Sequence, residues 1–287
     1  MDFKDLRTPT RLLVATDLSA RSERALKRAI LLADELGASL EVLHVIDDAM
    51  PARVLESYEG AARESVAQLL GTIPEATALK PRVTFIRGQG YREILLHAQE
   101  NGTDLILLGI TRHNLAALFT GTTAERIIRV GDIPVLMVKD AAGGAYQRVL
   151  VATDNSPSAA RALFCALALS PKAKFCVVHV AHVPFKGMLG KQIAEEVRED
   201  RDRSFREKFS KQLSQATGAL GIDTPEPSVM IDEGDIAHVI GRKISEFKPD
   251  LLVLGTHGRS SLGYALVGSL ALKMLSDPPS DVLIAKG

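Results

Sequence analysis

Arg11-Leu-Leu-Val-Ala-Thr-Asp17-Leu-Ser19 returns, with two changes, as Arg148-Val-Leu-Val-Ala-Thr-Asp154-Asn-Ser156. Extended without gaps, residues 11–33 and 148–170 agree at 12 of 23 positions, and the copies start 137 residues apart (148 minus 11). That offset is close to half of the 287-residue chain, so the agreement marks an internal duplication. Later segments recur in the same order. Leu40-Glu-Val-Leu-His44-Val45-Ile46 is echoed by Phe175-Cys-Val-Val-His179-Val180-Ala181, and Arg87-Gly88 by Glu233-Gly234. Asp104-Leu-Ile-Leu-Leu-Gly109 is echoed by Asp250-Leu-Leu-Val-Leu-Gly255, and Pro134-Val-Leu-Met-Val138 by Asp281-Val-Leu-Ile-Ala285. The small residues 140–145 between the copies read as a linker. The chain therefore divides into domains at 1–139 and 147–287.

Each copy alternates short Val/Ile/Leu runs with helical patterns. Continuous apolar runs bounded by turn residues suit strands buried on both faces. Between the first two runs, Leu26, Ile30, Ala33 and Leu36 recur at helical spacing. Ser19 is placed to cap that helix, and Gly37 to end it in a left-handed turn. The alternation predicts an α/β fold. Each domain is a doubly wound, five-stranded parallel sheet with helices on both faces. The copies differ between His179 and Gly234, which are 55 positions apart against 44 from His44 to Gly88. The surplus lies in a charge-rich stretch, 191–213, where Ile193, Val197, Phe205, Phe209 and Leu213 form one stripe at spacings of four or its multiples. An extended helix with one packed stripe is expected there, and a partner-docking surface is the alternative.

Charge narrows the function classes. The 35 Lys and Arg balance 35 Asp and Glu, so the chain lacks the broad basic face of a dedicated nucleic-acid binder. Hydrophobic residues at 46% with no net charge argue against disorder. No apolar run approaches the about 18 residues of a membrane span, and residues 1–7 carry no apolar core of a secretory signal. Cys165 and Cys176 stand alone in apolar surroundings, with no Cys-x-x-Cys, so zinc ribbons and dithiol redox centres are excluded. Buried inert thiols and a cytoplasmic location are expected. His44 and His179 sit inside apolar strands with no partner at ligand spacing, so a structural role is expected and no metal site from side chains.

Chemistry concentrates behind the fourth strand of the second copy. Leu251-Leu-Val-Leu254 runs into Gly255-Thr-His-Gly258-Arg259, and Gly268-Ser269-Leu270 opens a helix, giving the skeleton Gly-x2-Gly-x9-Gly-Ser. Glycine lets the backbone bend and approach a ligand closely. Successive loop amides form an anion-binding concavity. A helix start offers unpaired amides and the positive end of a dipole. The Ser269 hydroxyl adds a donor and Arg259 a neutralising charge for outer phosphates. In a parallel sheet the first strand delivers Thr153-Asp154 to the same edge and the second delivers Val180. A carboxylate there can accept from a ribose hydroxyl or an amine, and a flat valine can pack on a base.

With Val151-Ala-Thr-Asp154, Val178-His179-Val180, Gly255-Thr-His-Gly258-Arg259 and Gly268-Ser269 in view, the chain resembles a tandem universal stress protein over essentially its whole length. The resemblance implies a regulatory stress-response binding module with ATP in the second domain. It puts Asp154 and Val180 on adenine or ribose, and Gly255, Gly258, Gly268 and Ser269 on ribose and phosphates. Thr153, Leu254, Arg259 and Leu270 complete the expected set, and Mg²⁺ would arrive with the phosphates. It also implies that the last strands, Val135 to Val138 and Val282 to Ala285, pair within the molecule as a pseudo-dimer. A further homodimer and an unidentified protein partner are left open.

The first copy departs from this pattern. It reads Gly109-Ile-Thr-Arg112 through Gly121-Thr122, with Arg112 at the second glycine position and 12 positions between the outer glycines against 13. Asp17, Val45, Gly109, Gly121 and Thr122 remain, so a degenerate nucleotide site is expected, the alternative being that Arg112 serves a different anion. There is no Gly-x4-Gly-Lys-Ser/Thr, Gly-x-Ser-x-Gly or His-Glu-x-x-His. A binding module is therefore expected rather than an enzyme. The alternatives are a nucleotide-independent interaction protein or chaperone and, behind it, a slow ATPase.

Overall fold

The computed structural model describes residues 7–110, 122–181, 191–256 and 268–287. The first half runs β1 (Arg11–Thr16), α1 (Ala20–Leu36), β2 (Ser39–Ile46), α2 (Ala52–Gly71), α3 (Pro74–Leu79), β3 (Arg82–Arg87), α4 (Gly90–Glu100), β4 (Leu105–Gly109), α5 (Thr123–Val130) and β5 (Val135–Val138). The second runs β6 (Arg148–Ala152), α6 (Pro157–Leu169), β7 (Lys174–Ala181), α7 (Lys191–Leu220), β8 (Ser228–Glu233), α8 (Ile236–Phe247), β9 (Leu251–Gly255), α9 (Ser269–Ser276) and β10 (Asp281–Ala285).

All strands join one sheet in the order β3-β2-β1-β4-β5-β10-β9-β6-β7-β8. Pairing is parallel within each half. Among the described residues the one antiparallel ladder is the seam, where Val282, Leu283 and Ile284 of β10 oppose Met137, Leu136 and Val135 of β5. Two helical layers cover the sheet. Strand residues alternate between them: Leu12 and Val14 face the layer built by α1, α2, α3, α6 and α7, and Leu13 faces that of α4, α5, α8 and α9.

Local chemistry sets the element ends. The Ser19 hydroxyl accepts from the Ser22 amide to start α1, and Gly37, at φ 61°, closes it by donating to Ala33 and Asp34 carbonyls. Ser156 caps α6 in the same way, with Pro157 in its first turn. The aspartate ahead of the fourth strand ties down the start of the first. Asp104 accepts from the Thr10 and Arg11 amides, and Asp250 from those of Gln147 and Arg148.

Two features correct the sequence reading. The first half carries an extra short helix, α3, led by Pro74. The charge-rich helix continues to Leu220, beyond the expected 213, and its stripe is split. Phe205 and Phe209 are buried, whereas Ile193 and Val197 are 54% and 43% exposed. Four-residue spacing drifts round a 3.6-residue helix, so a stripe over twenty residues does not stay on one face.

Candidate functional site at the carboxyl edge of the sheet

Within each half the first strand lies between the second and the fourth, so three strand ends meet at one edge where the winding reverses. In the second half β6, β7 and β9 bring Thr153 and Asp154, Val180, and Leu254 and Gly255 to that edge. The Thr153 amide extends the β6–β7 ladder by donating to the Val178 carbonyl at 3.0 Å. Gly268 and Ser269 arrive on α9. The Gly268 amide donates to the Thr256 carbonyl at 2.7 Å, and the Thr256 amide to that of Ala285 at 2.9 Å. The two ends of the 257–267 connection are therefore tied together beside β9. Leu270 packs under this helix start against the core. Gly258 and Arg259 lie outside the described residues, as do Arg112 and Gly121.

The turn after the first strand is built the same way in both halves. The Thr16 hydroxyl accepts from the Leu18 amide and that of Thr153 from the Asn155 amide. Leu18 and Asn155 sit at φ 62° and 59°, the left-handed region. Asp17 accepts from the Ser19 amide and hydroxyl, and Asp154 from the Ser156 amide at 2.9 Å. Each carboxylate thus shapes its own turn as well as facing the edge. Burial pushes the Asp17 carboxyl up, but the Ser19 and Ser22 hydroxyls and the Ser19 amide outweigh it and hold it below the ordinary aspartate value.

The strand histidines hold these turns. His44 Nδ1 lies 2.8 Å from the Thr16 carbonyl and His179 Nδ1 2.9 Å from that of Thr153. A carbonyl only accepts, so both rings carry their proton on Nδ1. On its other side His179 stacks on Phe205 at 4.1 Å, and His44 Nε2 meets the Tyr58 hydroxyl at 3.3 Å. Among the described residues no group of three or more His, Cys, Asp or Glu is placed to hold a metal ion.

Gly109 and Gly255 have a packing reason that the sequence does not display. A side chain on Gly255 would come within 2.7 Å of the Ala159 amide nitrogen and the Ser158 hydroxyl, and one on Gly109 within 2.7 Å of the Arg21 backbone. Each glycine admits the first turn of the helix that follows the first strand. A Cβ on Gly268 would sit 3.2 Å from the Thr256 carbonyl, a milder crowding.

The halves differ at the last helix start. In α5 the Thr122 hydroxyl accepts from the Glu125 amide while the Glu125 carboxylate accepts from the Thr122 amide, a capping box. In α9 the N-cap is Gly268, which has no side-chain acceptor. A cleft of about 260 Å³ opens at the edge of the first half. Asp17, Val45 and Gly109 line it, with Thr123 and Ala124 from α5 and with Tyr58, Met50 and Asp47, which sequence reasoning did not select. The Thr-x-x-Glu spacing of the cap was readable in advance, whereas the approach of Tyr58 to His44 depends on how α2 docks.

Comparison with known proteins agrees with this architecture. The family model described as "Universal stress protein family" matches residues 9–139 and 145–286. The universal stress protein YxiE of Bacillus subtilis is 28% identical over 145 residues, covering 45% of this chain and 98% of the relative. A universal stress protein of Thermus aquaticus is 29% identical over 143 residues, covering 49% of this chain and 99% of the relative. Relatives of this kind match one half at a time. The crystal structure of a universal stress protein from Archaeoglobus fulgidus covers 98% of both chains with a TM-score of 0.69 at 21% identity, a likeness of fold over the duplicated whole.

Proposed function

The chain belongs to the universal stress protein family, and we propose that it is a stress-response binding module that holds ATP at the carboxyl edge of its second half. One observation carries this reading: α9 starts on a bare glycine fastened to the end of β9, while the matching start of α5 is closed by the Glu125 carboxylate. The Gly268 amide is spent on the Thr256 carbonyl, so the amides that follow it in α9, which no side chain caps, are the ones offered to a phosphate, whereas at α5 a carboxylate is already seated and repels one. In this reading Asp154 accepts from ribose or an adenine amine, and Val180 and Leu254 pack on the base beside Thr153. Gly255, Gly268, Ser269 and Leu270 frame the phosphate side, with Gly258 and Arg259 contributed from the 257–267 loop. Mg²⁺ travels with the phosphates.

The bound nucleotide biases a conformation or surface read by another protein. Turnover is not part of the proposal, which gives the Asp154 carboxylate a binding role. The free, buried Cys165 and Cys176 suit a reducing compartment, in keeping with a cytoplasmic location. No described helix is long and apolar enough to cross a membrane.

Nucleotide released from natively purified protein, identified by mass spectrometry, and a calorimetric titration with ATP test the reading. ATP is expected in the extract, and Gly258→Val is expected to abolish binding without altering the fold. No binding at millimolar ATP, or unchanged affinity in Gly258→Val, rejects it. A single-turnover assay on loaded protein checks for ADP formed faster than in buffer.

A second reading, an interaction protein indifferent to nucleotide, is favoured by the exposed Ile193 and Val197 at the amino end of α7. It gains if ATP fails to bind while a partner is lost on Ile193→Asp.

A further inference from the structure

Among its described residues the first-half cleft has an apolar lining and a carboxylate, and the helix start at its rim is capped by a carboxylate of its own. Leu43, Val45, Ile94 and Leu108 give it an apolar lining against which a flat ring can pack. Among the described residues its charged lining comprises two carboxylates, Asp17 and Asp47, against one guanidinium, Arg21. Asp17 is held in its acceptor form by the Ser19 amide and hydroxyl. The Tyr58 hydroxyl adds a further polar group to the lining. At the rim the Thr122 amide is already spent on the Glu125 carboxylate and the Glu125 amide on the Thr122 hydroxyl. Arg126, in the adjoining groove, lies over the Tyr91 ring with its guanidinium 5.0 Å from the centroid. Among the described residues a phosphate here would meet two carboxylates against one guanidinium, and a helix start capped by its own anion. A neutral ligand with a flat heterocycle and donor hydroxyls would meet neither obstacle.

We infer that the first-half cleft binds a nucleoside without phosphate, so that one molecule holds a nucleotide at one sheet edge and a nucleoside at the other. This rests on the reading of such edges as adenine-binding, given under Proposed function. The Glu125 carboxylate acts as the selectivity element, excluding phosphate by charge.

The test uses the full chain, titrated with adenosine and with ATP. In Gly258→Val protein, where the second half is disabled, adenosine is expected to bind at least tenfold more tightly than ATP. Asp17→Ala and, as an independent variant, Val45→Phe, which fills the cleft, are each expected to weaken adenosine at least tenfold. Thermal unfolding verifies that both variants are folded. Glu125→Gln keeps the capping geometry and removes the charge. It is expected to narrow the preference for adenosine over ATP by at least threefold.

Adenosine affinity unchanged in both Asp17→Ala and Val45→Phe overturns the inference. So does adenosine binding that disappears with Gly258→Val, which leaves the ATP reading intact. ATP binding that survives Gly258→Val and is lost in Asp17→Ala overturns both.

Discussion

Gly255 shows how one residue answers to two demands. Its place in a glycine-spaced loop suggests a ligand, yet its missing side chain is also the space into which Ser158 and Ala159 of α6 fit. Gly255→Ala sets a methyl group 2.7 Å from backbone that cannot swing aside. A loss of about 1–3 kcal/mol is expected in urea unfolding, the usual cost of overpacking, whether or not nucleotide is present. A second residue-scale expectation concerns acid. Burial raises the Asp104 carboxyl, but the Thr10 and Arg11 amides, the Thr10 hydroxyl and Arg7 bring it below the ordinary value. Asp17 is lowered in the same sense. A carboxyl lowered in the folded state contributes stability that is full above its unfolded value and lost as pH falls through its folded value. Stability is therefore expected to drop as pH passes below about 3.8, the ordinary aspartate value. Asp104→Asn is expected to flatten that limb when midpoints are followed from pH 6 to pH 2.

At the scale of elements, α7 is held by its middle. Phe205 stacks on His179 at 4.1 Å and on Phe209 at 6.3 Å, and both phenylalanines are buried. Phe205→Ala is expected to cost about 3–5 kcal/mol and to expose the histidine that braces the Thr153 turn. Val197→Ala, on the exposed end of the same helix, is expected to stay within about 0.5 kcal/mol. Parallel chemical denaturation of the two variants separates these outcomes. The start and stop of α1 were legible in the sequence, because Ser19 and Gly37 act through hydrogen bonds spanning only a few residues. The division of the α7 stripe was not, since burial there depends on which residues reach the β7–β8 side of the sheet.

Across the whole molecule, a buried clasp reinforces the seam between the halves. Asp281 of β10 accepts from the Tyr146 hydroxyl at 2.6 Å and from the Lys139 and Asp140 amides. Its carboxylate lies 3.4 Å from Nε of Arg28, which is on α1, donates to the Gly144 carbonyl and covers the Tyr146 ring. Burial still leaves the Asp281 carboxyl above its ordinary value. It also drives the Tyr146 hydroxyl well up, aided by the neighbouring carboxylate. Removing one member of a buried pair strands the other, at about 3–5 kcal/mol. Asp281→Ala is expected to lose that much and, joined to Leu283→Asp on the seam, to let the halves unfold in two steps. A single transition in the double variant, followed by circular dichroism, would show that the seam does not couple them.

The sequence by itself determined the duplication, the strand–helix alternation, the Ser19 and Gly37 caps and the strand-end residues, Asp17, Val45, Asp154 and Val180 among them, that reach each carboxyl edge. These follow from periodicity, from short-range hydrogen bonds and from the geometry of parallel sheets, all of which are local or topological. It also marked the Arg112 departure in the first copy. Only the tertiary structure decided that β5 and β10 fuse the copies into one ten-stranded sheet, since Leu136 and Leu283 are far apart in sequence. It alone gave Gly255 and Gly109 their packing partners and gathered Tyr58, Asp47 and Val45 around one cleft. The two edges carry the same strand-end residues. Among the described residues they differ in whether the last helix begins on a bare glycine or on its own carboxylate.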